Sequence, residues 1–393
     1  MASPDMYTRA VHAGRASLRA VGAHAPPIDL SSTYPFDDMD RAAESLHDLA
    51  HGAAQCETPV YSRLFNPTVA RCEDAIAELE GASDCVAYAS GMAAITATLL
   101  AARHLSETDG PIHVVAIRPV YGTTDHLLNS TLLNVKVSWS APDKVADHIR
   151  PDTALVLLES PTNPTLRIID IAEVARQAGS VPVIVDSTFA PPVIQRPLEH
   201  GATLSMHSAT KFLGGHGDVM GGVISTSDSD WATALRHVRV CTGALLHPQA
   251  AYLIHRSMPT LPARVFRAQE TATVLAQRLA EDTRVKAVHF PGLESSPLYR
   301  KQMDGPGSLV AFDVGDQHTA RSIVESVQLI TSAVSLGSTD SLIQHPASLT
   351  HGVVDEQAKT SHGITPGLVR LSVGLEHPDD LWEDLNQALN GVK

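Results

Sequence analysis

From about residue 61 onward, short apolar runs of strand length alternate with segments of helical character. The run ALVLLES is followed by the helical segment IDIAEVARQAG and then by a second apolar run, VPVIVDS. Strands that alternate with helices are typical of a mostly parallel sheet covered by helices on both faces. Right-handed crossovers bring the carboxyl ends of such strands to one edge, where ligands bind. The sequence therefore predicts an α/β fold with a functional site at that edge.

The pattern divides the chain into three regions. Residues 1–60 contain loop-like stretches such as HAPPIDLSSTYPF and are interpreted as an irregular N-terminal arm. Residues 61–255 carry the alternating pattern and form the predicted large domain. Residues 256–393 begin with a long helical segment, VFRAQETATVLAQRLAED, and continue through strands to a closing helix. This last region predicts a smaller C-terminal α+β domain.

Composition argues against several functional classes. The formal net charge of −14 argues against a general nucleic-acid or anionic-membrane binder. The four cysteines are scattered, and the histidines do not join them at zinc spacing, so we expect neither a disulfide framework nor a metal site. The N-terminus lacks the apolar run of a signal peptide, and no window reaches the length of a membrane span. A cytoplasmic protein is the expectation.

Polar side chains cluster where the predicted strands end. In a parallel sheet these ends share one edge, so the side chains are expected to lie close together. Any one of them alone is equally well explained as a helix cap or a turn residue. The strand-end residues are Glu159, Asn163, Asp186, Ser208, Thr210 and Lys211.

Lys211 lies in a glycine-rich loop, where a lysine is best explained by covalent chemistry. Desolvation lowers the pKa of a lysine and gives a neutral amine that attacks carbonyls. Pyridoxal 5′-phosphate (PLP) supplies an aldehyde for that amine, and its ring is the better electron sink when a carboxylate keeps the ring nitrogen protonated. Asp186 ends its own strand ahead of Lys211 and fits this need.

The phosphate of such a cofactor needs backbone N–H groups and hydroxyls. The segment YASGMAAITATLL offers Ser90 as a helix N-cap, Gly91 for close approach and Met92 at the start of an apolar helix. Ser208 and Thr210 are expected to alternate along an extended strand, so that both hydroxyls face the same phosphate. These segments together predict a PLP site.

Eight motifs, found in order along nearly the whole chain, resemble those of the Cys/Met-metabolism PLP-dependent enzymes. This family includes cystathionine γ-synthases, cystathionine γ- and β-lyases and methionine γ-lyases. The resemblance implies the fold of the fold-type-I PLP-dependent transferases. The motifs are YSRLFNPT, ASGMAAI, VYGTT, ESPTNP, VDSTFAPP, HSATKFLGGHGD, AVSLGSTDSLIQHPASLTH and GLVRLSVGLE.

The resemblance also implies roles for residues that bind the cofactor. Lys211 would form the Schiff base and then move protons, and Asp186 would pair with the pyridine nitrogen. Tyr121 would stack on the ring and act as an acid or base near the leaving group. Tyr61 and Arg63 would reach the phosphate of a neighbouring subunit, which implies a homo-oligomer, usually a dimer of dimers. The expected phosphate ligands of the same chain are Gly91, Met92, Ser208 and Thr210.

Further residues are expected to bind the substrate. Arg370, together with Ser335, would hold the α-carboxylate through a bidentate fork. Asn163 would lie near the 3-hydroxyl of the cofactor or near that carboxylate. Glu159 is given a structural role behind the site. Phe65 and Thr123 occupy positions that the family uses to shape the pocket.

The implied reaction is γ-elimination from an L-amino acid, through quinonoid and vinylglycine-type intermediates. Its alternative is γ-replacement by a thiol, as in cystathionine γ-synthases and homoserine sulfhydrylases. Methionine γ-lyases usually differ from this chain at Thr123 and Val240, and Phe65 is commonly a small residue. These departures predict a substrate other than ordinary methionine, such as cystathionine, an acylated homoserine or an amino acid with a halide leaving group. Asp340, where acidic residues are common, does not decide between them.

Overall fold

The computed structural model describes residues 4–106, 110–293 and 297–391. Within these ranges the α-helices are α1 (Met6–His12), α2 (Met39–Ala50), α3 (Pro67–Glu80), α4 (Gly91–Leu105), α5 (Gly122–Asn129), α6 (Ile171–Ala178), α7 (Ser229–Thr242), α8 (Pro248–Ser257), α9 (Leu261–Glu281), α10 (Pro297–Gln302), α11 (Gln317–Ser326), α12 (Glu356–Ser361) and α13 (Pro378–Asn390). The strands are β1 (Asp84–Tyr88), β2 (His113–Ile117), β3 (Lys136–Ser140), β4 (Thr153–Glu159), β5 (Val183–Asp186), β6 (Leu204–His207), β7 (Gly222–Thr226), β8 (Ala287–His289), β9 (Leu309–Asp313), β10 (Thr331–Ser332), β11 (Leu342–Gln344) and β12 (Leu368–Ser372).

The larger sheet has the strand order β1-β7-β6-β5-β4-β2-β3. Strand β7 runs antiparallel to both of its neighbours, and the other pairings are parallel. The predicted mostly parallel sheet is thus confirmed. Glu159 is in register with Asp186, and Asp186 is in register with Met206. The carboxyl ends of β4, β5 and β6 therefore lie side by side, as the site requires.

Apolar side chains fill both faces of this sheet. On one face, Ile95 of α4 and Leu235 of α7 pack in a cluster with Ile224 of the sheet. On the other face, Val174 of α6 packs in a cluster with Val156. Complete burial of a side chain of this size contributes about 1.5–3 kcal/mol to folding. The two helical layers hold the sheet rigid beneath the strand ends.

Side-chain and glycine caps set the boundaries of helices α3 and α4, and the predicted N-cap Ser90 is among them. The carboxamide oxygen of Asn66 accepts hydrogen bonds from the backbone N–H groups of Thr68 and Val69 at the start of α3. Gly81 ends this helix with a left-handed φ of 70°. The hydroxyl of Ser90 accepts from the N–H of Ala93 and caps α4. An N-cap of this type stabilises its helix by about 1 kcal/mol.

The smaller sheet has the order β10-β11-β12-β9-β8. Strands β10 and β11 are parallel, and the remaining pairs are antiparallel. Helix α13 and the second half of α9 cover one face, where Leu385 and Leu275 share a cluster with Phe312. Arg370 lies on the central strand β12, opposite Gln344 of β11. The sheet thereby gives Arg370 a fixed backbone.

The prediction that residues 1–60 are irregular is wrong in two places. Helix α1 packs against α3 and α9 of its own chain, and α2 packs against α7. The carboxylate of Asp38 caps α2 by accepting from the N–H groups of Asp40 and Arg41. At its other end, the carbonyl of Ala50 is 2.8 Å from Nδ1 of His237. The prediction failed because loop-like stretches flank both helices. The proposed boundary between residues 255 and 256 falls inside α8.

Candidate active site

A cavity of about 530 Å³ opens at the carboxyl ends of the parallel strands. It is lined by residues of the larger sheet, the start of α4 and the loops around the smaller sheet. Most of the residues predicted from the sequence meet there. These are Gly91, Met92, Tyr121, Thr123, Glu159, Asn163, Asp186, Ser208, Thr210, Lys211, Ser335 and Arg370. We call this space the active-site cavity.

The amine of Lys211 points at the hydroxyl of Ser335, with 2.6 Å between Nζ and Oγ. Burial lowers the pKa of Lys211 to about 8, and the nearby charge of Arg370 acts in the same direction. Ser335 has a φ of 89°, which is rare for a residue with a side chain. Such backbone strain costs about 1–3 kcal/mol and clusters at functional sites. At a pKa of about 8, about a tenth of the Lys211 amine is neutral at pH 7.

The prediction that Ser208 and Thr210 alternate along a strand is wrong. Strand β6 ends at His207, and a turn follows. The N–H of Lys211 donates to the carbonyl of Ser208 at 3.1 Å, which curls the chain around the lysine. Both hydroxyl residues nevertheless line the cavity. The turn, rather than strand alternation, brings them there.

The start of α4 and the turn after β6 form a close-fitting cradle. A Cβ atom on Gly91 would lie 3.0 Å from Cβ of Ser208, and one on Gly222 would lie 2.2 Å from the carbonyl oxygen of Ser90. The hydroxyl of Thr210 accepts from the N–H of Gly221 at 3.0 Å. Helix N-terminal N–H groups with hydroxyls beside them are suited to a phosphate. The glycines permit the contact between these segments.

Asp186 is held by Thr188. Its Oδ1 atom accepts from the Thr188 backbone N–H at 3.0 Å and from the Thr188 hydroxyl at 2.5 Å. The same hydroxyl oxygen accepts from the N–H of Ser208 at 2.8 Å. Burial raises the pKa of Asp186, while the two bonds from Thr188 and the charge of His207 lower it. A protonated ring nitrogen at this carboxylate would favour its ionised form.

Glu159 supports the backbone that carries Tyr121. Its Oε2 atom accepts from the N–H of Tyr121 at 2.7 Å. Burial raises the pKa of Glu159 well above its usual range, and the nearby Asp186 acts in the same direction. A buried carboxyl that bonds to backbone fits the structural role expected from the sequence.

Arg370 presents a planar fork at the other wall of the cavity. Its Nη1 atom donates to the Asn163 side-chain oxygen at 2.9 Å, and Nη2 donates to the Ser335 carbonyl at 2.8 Å. With its amide oriented to face the guanidinium, Gln344 accepts from Nη2 at 2.6 Å. Burial lowers the pKa of Arg370 to about 10. The guanidinium remains charged at neutral pH and is suited to a carboxylate.

Two residues that support the site, Thr188 and Gln344, were not predicted from the sequence. Thr188 follows Asp186 by two residues, and an Asp that bonds to the backbone two residues on is a recognised turn pattern. That signal was available in the sequence. Gln344 is paired with Arg370 by strand register, which no local pattern reveals.

Apolar side chains surround the mouth of the cavity. Met220, Val334, Leu349 and Val353 all line it, and all are solvent-exposed in the single chain. Asp340 lines a neighbouring hollow instead, and its carboxylate accepts from the Ser338 hydroxyl at 2.5 Å. The approach to Lys211 is therefore apolar.

Four residues singled out in the sequence lie away from the cavity of their own chain. Arg63 donates to the carbonyl of Val240 at 3.0 Å, with its guanidinium over the ring of Tyr61. Val240 is buried beside Leu49, and Phe65 packs against the same cluster. The predicted reach of Tyr61 and Arg63 into a neighbouring subunit stays a prediction.

The residues of the cavity fit PLP. A desolvated lysine, a buried carboxyl and a helix N-terminus with two hydroxyls are respectively suited to its aldehyde, ring nitrogen and phosphate. A family model described as "Cys/Met metabolism PLP-dependent enzyme" matches residues 7–390.

The chain belongs to this family.

Among curated relatives, an L-methionine γ-lyase of Streptomyces avermitilis is 52% identical over 384 residues, which cover 97% of this chain and 88% of that protein. An L-methionine γ-lyase of Brevibacterium sandarakinum is 51% identical over 399 residues, with coverages of 100% and 99%. Among solved structures, cystathionine γ-lyase of Lactobacillus plantarum, complexed with L-serine, has a TM-score of 0.88 at 32% identity, with 99% of each chain covered.

These findings confirm the fold-type-I assignment, the PLP cofactor and the predicted reaction class. The enzyme is a PLP-dependent lyase that catalyses γ-elimination from an L-amino acid. No helix in the described ranges is both long and apolar enough to cross a membrane. Within the same ranges, no group of three or more His, Cys, Asp or Glu side chains is placed to hold a metal ion.

Proposed function

We propose that the substrate is L-methionine or a similar amino acid with an uncharged thioether side chain. The observation that carries this proposal is the apolar mouth formed by Met220, Val334, Leu349 and Val353. A charged distal end, such as that of cystathionine, would lose hydration against these side chains, and the carboxylate of Asp340 in the adjoining hollow already accepts from the Ser338 hydroxyl. The names of the two bacterial relatives support the same substrate.

This proposal replaces the expectation of a substrate other than methionine. That expectation depended on Phe65, Thr123 and Val240. Val240 is buried in a small apolar cluster that includes Leu49, and Phe65 packs against it. Thr123 alone of the three lines the cavity of its own chain. These three positions therefore say less about the substrate than the side chains that line the mouth.

The side chains around the cavity are assigned complementary tasks. PLP, when bound, supplies an aldehyde for the substrate amine and a ring that accepts electron density from Cα. Lys211 Nζ would take the proton from Cα, release it to the bound cofactor and, neutral again, take a second proton from Cβ. Its lowered pKa permits both uptake and release near neutral pH. The Tyr121 hydroxyl gives a proton to the departing sulfur. Arg370 and Asn163 hold the α-carboxylate, and the Ser335 hydroxyl orients the lysine.

We assign the phosphate to the start of α4, with Ser208 and Thr210 beside it, and the ring nitrogen to Asp186. Tyr61 and Arg63 of a neighbouring subunit complete the phosphate site, so the active form is a homo-oligomer. Tyr61 is exposed, and so are Leu30 and Phe36 on either side of Thr33, whose backbone pairs with that of Tyr61. Apolar groups exposed together mark interaction surfaces, which supports this assignment. The N-terminal arm is the element that we expect to cross to the neighbour.

A substrate panel tests the proposed substrate. Purified enzyme is given L-methionine, L-cystathionine and O-acetyl-L-homoserine, and kcat/KM is measured for each by 2-oxo acid release. We expect methionine to exceed cystathionine by about tenfold or more, which corresponds to about 1.4 kcal/mol. A preference for cystathionine would refute the assignment. Loss of 2-oxo acid when a thiol is added would favour γ-replacement instead.

A further inference from the structure

Two buried glutamines lie behind the strand ends that carry the acidic residues of the site. Gln195 follows β5 in the chain and is 1% exposed, while Gln302 ends α10 and is 5% exposed. Buried amides are costly unless every polar atom finds a partner. Each of these two amides is hydrogen-bonded at both its nitrogen and its oxygen. We call them the glutamine pair.

Gln195 joins two adjacent strand ends. Its Nε2 atom donates to the carbonyl of Ser160 at 2.7 Å and to the hydroxyl of Ser187 at 2.9 Å. Ser160 directly follows Glu159, and Ser187 directly follows Asp186. The amide of Gln195 therefore bonds both to the residue that follows Glu159 and to the residue that follows Asp186.

Gln302 supports Gln195 from the C-terminal region of the chain. Its Nε2 atom donates to Oε1 of Gln195 at 2.9 Å and to the carbonyl of Ile169 at 3.0 Å. Its Oε1 atom accepts from the N–H of Ile171 at 3.0 Å. These bonds give every side-chain N–H of the pair an acceptor and fix the orientation of Gln195.

Other hydrogen bonds also hold these strand ends. The N–H of Ser160 donates to the carbonyl of Asp186 at 3.2 Å, and the N–H of Ser187 donates to the carbonyl of Met206 at 2.9 Å. The hydroxyl oxygen of Ser160 accepts from the N–H of Ile169 at 3.1 Å. The glutamine pair adds a side-chain link that spans Ser160 and Ser187. The hydroxyl of Ser187 donates to the carbonyl of Ala190 within its own turn. A shift of the Ser160 or Ser187 backbone would move Glu159 or Asp186 directly. Because a displacement of about 1 Å can cost about 100-fold in rate, such a restraint has a functional consequence.

We propose that Gln195 and Gln302 are positioning residues that fix the distance between the carboxyl groups of Asp186 and Glu159. Through Asp186 they set the cofactor ring, and through Glu159 they set the backbone of Tyr121. The inference rests on the roles proposed above for Asp186 and Tyr121. A purely structural pair would affect folding and leave the chemistry of each folded site unchanged.

The test compares Gln195→Leu and Gln302→Leu with Gln387→Leu. Gln387 lies in α13 of the smaller domain, half-buried and remote from the cavity, where its Nε2 atom donates to the carbonyl of Ser326 at 2.8 Å. Three quantities are measured: the Tm, the Kd of the apoenzyme for PLP, and kcat and KM per bound PLP. We expect the pair variants to lose about tenfold or more in kcat with little change in KM. Their PLP Kd should rise severalfold, whereas Gln387→Leu should lower the Tm alone.

The inference is overturned if the pair variants lose Tm but keep PLP affinity and kcat per bound PLP within twofold of the parent enzyme. If the leucine variants are insoluble, Gln195→Met and Gln302→Met replace them, because methionine adapts to irregular spaces, and the same criteria apply. Asp186→Asn and Glu159→Gln separate the two proposals. If these retain full activity, the assigned site roles are wrong. If they lose activity while the pair variants do not, the glutamine pair has no positioning role.

Discussion

Three charged residues, Lys211, Asp186 and Arg370, lie around one cavity. Burial shifts the pKa of each in the direction that favours its uncharged form. The pKa falls for the lysine and the arginine and rises for the aspartic acid. Hydrogen bonds from Thr188 partly offset this for Asp186. The lysine receives no comparable compensation from a carboxylate, which leaves it available as a base and nucleophile. Perturbed groups gathered in one cleft are typical of a catalytic site.

The lowered pKa of Lys211 predicts how the apoenzyme takes up PLP. Only the neutral amine attacks an aldehyde, so the rate of reconstitution should rise with pH up to about 8 and then level off. Stopped-flow absorbance of apoenzyme mixed with PLP measures this rate, with Nα-acetyl-lysine as the control amine. An unshifted lysine would give a rate that keeps rising to about pH 10.4, and that result would contradict the assignment.

At the residue scale, the sequence identified the groups that act through their own chemistry. Lys211, Asp186 and the hydroxyls of Ser208 and Thr210 follow strand ends, and parallel topology places strand ends together. Gln344 and the glutamine pair could not be found in this way. They contribute through strand register and packing between distant segments, which local patterns do not record.

At the element scale, the start of α4 is fixed by its contact with the first residue of β7. The absence of a side chain at Gly222 lets the Ser90 carbonyl lie where a Cβ atom would otherwise be. Ser90 in turn caps α4 through the N–H of Ala93. The phosphate cradle thus depends on a glycine that does not itself line the cavity.

Gly222→Ala should therefore weaken cofactor binding. The added Cβ would lie 2.2 Å from the Ser90 oxygen and 2.7 Å from Cα of Gly91, so the start of α4 must move. We expect the PLP Kd of the apoenzyme to rise by about tenfold or more, measured by fluorescence titration. Gly391→Ala is the control, because its Cβ would be 3.5 Å from the nearest atom. An unchanged Kd for Gly222→Ala would show that the cradle tolerates the shift.

At this scale the sequence predicts an element correctly where its own residues give clear signals for its ends. The prediction fails where loop-like stretches flank the element or where another part of the chain sets its end. Helix α3 carries such signals, because Asn66 caps its start and Gly81 ends it in a left-handed conformation. Helices α1 and α2 were missed because loop-forming stretches surround them. The end of β6 was misplaced, since the turn at Ser208 is set by Thr188, from a different strand end.

At the scale of the whole molecule, the alternating pattern was sufficient to predict the parallel sheet, because crossover handedness leaves few topologies. The predicted assembly depends on where Arg63 lies. Arg63 lies outside the cavity of its own chain, although the family motif assigns it to a phosphate. A site shared between subunits reconciles these two facts.

Sharing of this kind predicts complementation between inactive chains. Arg63→Ala and Lys211→Ala should each be inactive or nearly so as homo-oligomers. In a hybrid dimer, one site would combine an intact Lys211 with an intact Arg63 from the other chain. Random mixing by co-expression should therefore restore about a quarter of parental activity per chain. Hybrids with no more activity than the separate variants would place Arg63 outside the shared site.

The proposed function assigns to Lys211 the γ-elimination of an uncharged thioether in a cavity with an apolar mouth. The most direct measurement is the product balance from L-methionine, with methanethiol, ammonia and 2-oxobutanoate quantified together. We predict that the three appear in equal amounts, that added thiol does not suppress ammonia, and that Lys211→Ala forms none of them. Methionine left unconsumed while cystathionine is cleaved, or products formed at an undiminished rate by Lys211→Ala, would contradict this account.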